Sequence, residues 1–246
     1  MSHINFCVIT LFFRGFRNNK NSDFLGALYR LFIKSASIFD SEIVSAPITE
    51  KLPKFTPKTE TQMEIDELER GRLRSKVLSF LKANDIEYKL YEHPALCSVE
   101  ECLAYWGNIP DATHCKNLFL RNHKGNRHYL VSMECHKTLD IHSLEHTLKQ
   151  GKLSFASEER MVRCLDLHPG SVSAFGLIND IDPKDADPKE LFPNGHRVKY
   201  YIDSTLRTAD KISFHPCENT ASVVISGADF LRFLSIWGGE VEWLEI

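Results

Sequence analysis

Residues 117–134 read NLFLRNHKGNRHYLVSME, two apolar runs on either side of a polar turn. Asn117–Arg121 has the apolar character of a strand. His123–Asn126, containing Gly125, supplies a turn, and Arg127–Glu134 is the returning strand. An antiparallel hairpin of this kind is one piece of a mixed α+β domain, and further elements complete it. The flanking sequence supplies them.

On the N-terminal side, Leu73, Val77, Phe80 and Leu81 fall at i, i+4, i+7 and i+8, one face of a first helix. Ile86–Glu92 is a strand. Ser98 and Glu101 form a capping box that opens a short helix running to Trp106. Beyond the hairpin, helices are expected at 140–150 and 158–167, and strands at 171–179, 197–203, 211–215 and 221–225. A last helix, Asp229–Trp237, carries Phe230, Phe233, Leu234 and Trp237 at helical spacing, and a closing strand follows at 240–244. Residues 182–195, DPKDADPKELFPNG, carry three prolines and an acidic bias, as a surface insertion between paired strands would. The expected fold is mixed α+β, a largely antiparallel, barrel-like sheet flanked by helices.

Residues 1–62 differ from the rest. They are rich in Phe, and the first 40 hold Arg14, Arg17, Lys20, Arg30 and Lys34 against Asp23 and Asp40. Pro47, Pro53 and Pro57 then mark an extended linker. A targeting peptide, an accessory segment and an over-extended gene start compete for this stretch, so the domain is taken as 63–246. The apolar run Phe6–Phe13 is too short for a bilayer, which needs about 20 residues.

The whole chain has 246 residues, with 30 Lys and Arg against 33 Asp and Glu, a net charge of −3. Composition is globular, which excludes collagen-like, coiled-coil-only and wholly disordered chains. The charge argues against a long-groove nucleic-acid binder, but not against a protein that grips one end of an RNA. Seven cysteines without a C-x-x-C pair read as reduced intracellular thiols, consistent with a cytoplasmic protein.

His142-Ser-Leu-Glu145-His146 matches the H-x-x-E-H pattern of a zinc helix. Ile141, Leu144 and Leu148 make the apolar stripe of that helix, which sends both histidines to the solvated face, so no metal is expected. Three other segments place polar groups where the local pattern wants apolar ones. Lys116-Asn117 opens the first hairpin strand. Gly170-Ser171-Val172-Ser173-Ala174-Phe175-Gly176 offers backbone N–H groups and close approach to a ligand. His215-Pro-Cys-Glu-Asn219-Thr220 is a polar turn between strands. Each alone is explained by an edge charge, a loop or a turn.

Together, in order and spacing, they resemble the YbaK/ProX family of aminoacyl-tRNA deacylases, and within it the free-standing alanyl-tRNA(Pro) deacylases. Tyr91-Glu92-His93-Pro94, Ser98-Val99-Glu100-Glu101 and Gly151-Lys152-Leu153-Ser154-Phe155-Ala156 belong to the same resemblance, which covers about 68–246. It implies hydrolysis of the ester on mischarged Ala-tRNA(Pro), by water assisted by the substrate's own 2′-hydroxyl, without cofactor or metal. Lys116 and Asn117 would be catalytic. Gly170, Ser171, Val172, Ser173, Ala174, Phe175, Gly176, His215, Asn219 and Thr220 would bind substrate. The implied partners are the acceptor end of tRNA(Pro) and prolyl-tRNA synthetase, with the protein a monomer or weak dimer and no membrane involved. Cys217 falls at a variable position and is not expected to be a nucleophile. Ala174 stands where the family usually has proline, which leaves the preferred amino acid open between alanine and another small residue such as cysteine. A non-catalytic tRNA- or synthetase-binding module is the reading of a different class.

Overall fold

The computed structural model of the protein describes residues 60–96, 99–107, 109 and 111–246. Residues 1–59 of the expected extension, and Ser98 of the expected capping box, lie outside the described residues.

Helix α1 spans Glu60–Ala83, starting three residues before Met63. Its buried stripe is the expected one: Leu73, Val77 and Leu81 are each at most 4% exposed. The strands are β1 Tyr88–Glu92, β2 Thr113–Asn122, β3 His128–Glu134, β4 Leu153–Phe155, β5 Val198–Asp203, β6 Lys211–Phe214, β7 Ala221–Ser226 and β8 Val241–Leu244. The remaining α-helices are α2 Val99–Trp106, α3 Ile141–Leu148, α4 Glu158–Leu165 and α5 Gly227–Trp237.

All eight strands join one mixed sheet in the order β1-β7-β6-β2-β3-β5-β8, with β4 also on β2. The β1/β7, β6/β7, β2/β3 and β2/β4 pairs are antiparallel, and β2/β6, β3/β5 and β5/β8 are parallel. The hairpin forms, Cys115–Arg121 pairing with Glu134–His128, but its first strand begins at Thr113, so Lys116 and Asn117 lie within β2 and do not open it. Helices pack on both faces. One core joins α1 to Phe175, Phe214, Phe230, Phe233 and Trp237. A second lies under α3, where Leu144 meets Leu120, Tyr129 and Leu153.

Strand β2 decides where a site can form, because its second edge changes partner. Thr113 and His114 pair with β6, whereas Leu120–Asn122 pair with β4. From Cys115 to Leu118 that edge has no strand beside it among the described residues. The gap falls on Lys116 and Asn117.

One expected strand is corrected. Residues 171–179 are a loop that enters a 3-10 helix, Ala174–Asp180. Ser173 caps it, its Oγ accepting from the Phe175 N–H at 3.2 Å. Ala174, Phe175, Gly176 and Leu177 are all buried. A half-exposed strand, which alternates its faces, cannot bury four consecutive residues. At Gly176 an added Cβ would lie 2.6 Å from Leu167 Cδ1, so the glycine serves close packing. Strand β4, only three residues long, carries too little pattern to be read from sequence.

One buried and one half-buried imidazole give the fold an acid-sensitive element. His128 is fully buried, stacks on Phe119 and accepts from Arg160 Nη1 at 3.0 Å through Nε2. Burial, aided by Arg160, holds its pKa down to about 3. Burial likewise holds His114 down to about 4. In the unfolded chain both take up a proton near pH 6.5. Their contribution to stability is therefore complete above that value and is lost as pH falls from 6.5 toward 4 and 3. Each can contribute up to about 1.4 kcal/mol per pH unit in that window. Urea denaturation between pH 7 and pH 5 is expected to show this loss, and His114→Phe to make it shallower; an unchanged slope would refute the assignment.

Candidate functional site

A cavity of about 230 Å³ opens at the gap in β2. Cys115, Lys116 and Asn117 form its floor on β2, and Gly170 and Val172 come from the loop that covers the gap. His215 enters from the turn between β6 and β7. The remaining wall is apolar. Val99, Cys102 and Trp106 stand at i, i+3 and i+7 along α2, beside Leu96. That spacing is visible in the sequence, but apolar wall residues are not distinguishable there from core.

Lys116 is half-buried, and among the described residues no carboxylate pairs with its ammonium. Asn117 is fixed at both ends of its amide. Nδ2 donates to the Val172 carbonyl at 3.0 Å, and Oδ1 accepts from the Ser132 hydroxyl. The Ser132 Oγ in turn accepts from Tyr200 Oη at 2.7 Å. Ser132 and Tyr200 are fully buried. This chain of donors leaves only one orientation for the amide, and through it ties the covering loop to β2. The sequence gives no sign of it, since Ser132 and Tyr200 sit inside strands.

His215 Nδ1 lies 2.8 Å from the Ala221 carbonyl, which only accepts, so Nδ1 carries the proton and Nε2 is the acceptor nitrogen. Burial lowers its pKa, with His93 adding to the effect. The His93 ring lies 5.6 Å from that of His215. By the same argument His93 donates from Nδ1 to the Pro94 carbonyl at 2.9 Å and presents Nε2 to Ser222 Oγ at 3.1 Å. Trp106 stacks on His114, with ring centroids 4.3 Å apart and planes within 10°. Trp106 Nε1 and His114 Nδ1 are buried without a hydrogen-bond partner among the described residues.

The turn carrying His215 is held from α1. Arg74 Nη2 meets the buried Glu218 carboxylate at 2.8 Å and donates to Thr220 Oγ1 at 2.6 Å. Thr220 Oγ1 donates onward to Glu218 at 2.6 Å. The carbonyls of Asn219 and Thr220 accept from the Leu96 and His93 N–H groups, which joins the turn to the cavity wall. Asn219 and Thr220 thus sit behind the cavity.

The loop residues divide. Gly170 and Val172 line the cavity, Ser171 is half-buried beside them, and Ser173, Ala174, Phe175 and Gly176 are buried in the core beneath. The N–H groups of Ser171, Phe175 and Gly176 are bonded within the loop, to His168 O, Ser173 Oγ and Ser173 O. Ala174 is fully buried, so it reaches the cavity outline only through the loop it anchors. Cys217 is 1% exposed, and burial pushes its thiol well above the usual range. Burial does the same to Cys115, so neither is poised as a thiolate.

His142 is 84% exposed on its side chain. Glu145 of the same helix is engaged, its Oε1 accepting from the Leu153 N–H at 2.7 Å. Among the described residues, Glu134, Cys135 and His136 bring three ligand-type atoms within 4.8 Å. Those atoms are hydrogen-bonded to one another, His136 Nδ1 to Glu134 Oε1 at 2.7 Å.

The profile of the aminoacyl-tRNA editing domain matches residues 93–233, which carry every cavity-lining side chain. The chain belongs to the aminoacyl-tRNA editing domain family. The prolyl-tRNA editing protein ProX of Acetoanaerobium sticklandii is 32% identical over 171 residues, 69% of this chain and 95% of that protein. The prolyl-tRNA synthetase associated domain-containing protein 1 of Bos taurus is 30% identical over 172 residues, 68% of this chain and 92% of that one. Its Mus musculus counterpart is 29% identical, with 68% and 93% covered. These relatives extend the editing-domain similarity well beyond the hairpin and over most of their own lengths. Helix α1, and with it Arg74, lies outside the matched editing domain yet holds the His215 turn in place. Among the described residues no helix is long and apolar enough to cross a membrane.

Proposed function

We propose that this protein is a trans-editing deacylase that hydrolyses the ester of mischarged Ala-tRNA(Pro). The observation that carries the reading is the Lys116 ammonium on the floor of a small cavity, without a carboxylate partner among the described residues. A fixed cation there stabilises charge that develops on an ester or on the neighbouring phosphate. Asn117, with its amide held by Ser132 and Val172, orients the terminal ribose and the scissile ester. Val172, Leu96 and Val99 surround the amino-acid side chain. His215 offers Nε2 as an acceptor, suited to a substrate hydroxyl, amine or water.

Attack is by water, with the 2′-hydroxyl of the terminal ribose assisting the proton transfer, so no protein nucleophile takes part. The proton leaves the water as the C–O bond forms, and the 3′-oxygen of the ribose departs with a proton. Discrimination rests on size. A missing methylene or two is worth about 1–3 kcal/mol to a synthetase pocket, so a second and smaller sieve has work to do. Gly170, Ser171, Val172 and the buried segment Ser173–Gly176 set that outline, and Asn219 and Thr220 buttress it from behind.

We take residues 63–246 as the editing domain and 1–62 as an extension, with 182–195 an insertion. We place the protein in the cytoplasm, as a monomer or weak dimer acting alongside prolyl-tRNA synthetase. The test uses the full chain against tRNA(Pro) charged with alanine, cysteine or proline, with EDTA present. Loss of the alanyl ester at least tenfold faster than the others is expected. Preferential loss of the cysteinyl ester would move the specificity while keeping the chemistry. Survival of all three at the spontaneous rate would refute the hydrolase reading and favour a binding module.

A further inference from the structure

The cavity accounts for one nucleotide and its amino acid, whereas the segment Gly151–Ala156 has no part in it. That segment contains β4, laid along β2 just beyond the gap, with Phe155 opposite Leu120 and Leu153 opposite Asn122. The Ala156 N–H donates to the Phe119 carbonyl at 2.9 Å, so the segment begins where the cavity ends. At about 3.3 Å per residue, Leu120 lies about 10–13 Å along β2 from Asn117 and Lys116.

Leu153 and Phe155 share a face by strand alternation. Leu153 is covered in the α3 core and 7% exposed, but Phe155 is 61% exposed, the most of any Phe, Tyr or Trp among the described residues. An uncovered ring on a rigid strand is a poor use of an aromatic unless something stacks on it.

Toward the Gly151 end of the segment, away from the exposed Glu158 and Glu159, cations gather. The Gly151 turn touches His123, an added Cβ there lying 3.7 Å from His123 Cβ. Around this junction stand Lys124, Lys149 and Lys152, all exposed, and Arg121, whose guanidinium caps the Asn122 and His123 carbonyls. Among the described residues none of these four cations forms an ion pair with a carboxylate, although Glu145 is near enough for the Lys152 charge to act on it. Glu145, the acidic neighbour, is already engaged by Leu153 and His142. In a chain of net charge −3, such a group of unpaired cations next to a bare aromatic is the combination that binds single-stranded nucleic acid, base on ring and phosphates on cations.

We infer that β4 and the adjoining hairpin turn form the track for the single-stranded 3′ end of the tRNA, Phe155 stacking a base and Lys152 and Lys124 holding the phosphates behind it. The inference rests on the reading that the substrate is an aminoacyl-tRNA, and it names residues outside the cavity. It predicts that the enzyme distinguishes a tRNA from the same ester on a lone nucleoside through this surface.

The test uses the full chain and Phe155→Ala, Phe155→Tyr, Lys152→Glu and Lys89→Glu variants, the last an exposed lysine on β1 away from the track. Affinity for uncharged tRNA(Pro) is read by fluorescence anisotropy across a salt series. Phe155→Ala is expected to weaken binding on the order of tenfold, with Phe155→Tyr restoring it. Lys152→Glu should flatten the log–log salt slope by about 0.7 or more, and Lys89→Glu should leave it unchanged. In parallel, kcat/KM for alanyl-tRNA(Pro) should fall at least fivefold more than kcat/KM for alanyl-adenosine in the first and third variants. If wild type binds tRNA with these effects but cleaves neither ester, the track stands and the catalytic reading fails. Unchanged affinity in both Phe155→Ala and Lys152→Glu, or equal losses on the two esters, would overturn the track.

Discussion

Replacing Lys116 with alanine is expected to lower kcat/KM toward alanyl-tRNA(Pro) by about 10²–10³-fold while leaving the fold intact. The magnitude is that of removing one preorganised charge or donor from a reacting centre. Lys116 suits the part because no described residue neutralises it. It opens from a strand edge that lacks a neighbouring strand, and no carboxylate among the described residues answers its charge. The side chain is half-buried and makes no hydrogen bond or ion pair among the described residues, so its removal should shift stability by no more than about 0.5 kcal/mol. Arginine at this position would keep the charge but spread it over a planar fork, and recovery should be partial. Single-turnover deacylation, with urea denaturation as control, separates these effects. Wild-type turnover by Lys116→Ala would remove the electrostatic account altogether.

The second large effect is on stability and comes from outside the matched editing domain. Arg74→Met strips the Glu218 carboxylate, whose side chain is fully buried, of its ion-pair partner. Leaving one member of a buried pair uncompensated costs about 3–5 kcal/mol. The loss should also reach the chemistry, because Glu218 and Thr220 organise the turn that presents His215, and that turn contains Cys217 at φ 62°, a backbone state few side chains favour. Adding Glu218→Met to Arg74→Met removes the orphaned charge and should return a large part of the stability. Urea titrations of the two variants test this; an Arg74→Met protein as stable as wild type would show that α1 does not hold the turn.

Much of this architecture is legible in the sequence, and the limits have physical causes. The hairpin at 117–134 is readable because two apolar runs meet at a glycine turn, and α1 because four apolar residues share one helical face. The segment 171–179 misleads: a glycine- and serine-rich run followed by Ala-Phe-Gly-Leu looks extended, but only the tertiary core decides that all four are buried. The parallel joins of β2 to β6 and β3 to β5 are long-range and leave no local mark. At the site, Lys116, Asn117, Gly170 and His215 stand out as polar or small residues in apolar surroundings, Val172 comes with the Gly170 loop, and the cavity gathers them. Trp106, Leu96 and Val99 do not, because a cavity wall and a core are built from the same side chains. Ser132 and Tyr200 escape notice for another reason: a hydroxyl in a strand reads as solvent-facing until its partner across the sheet is known.

The change of partner along β2 also bears on which lengths of chain the domain can accept. One strand serves β6 at its start, the cavity in its middle and β4 at its end, while β3 locks its register over seven residues. Inserting or deleting a single residue within 113–122 would exchange the two faces of everything beyond it, sending Leu120 outward and Arg121 inward, and would carry Lys116 or Asn117 out of reach of Val172. The stretch 182–195, bound into no strand, is under no such constraint. Variation in length among chains of this kind should therefore collect there, and β2 should behave as a ruler of invariant span.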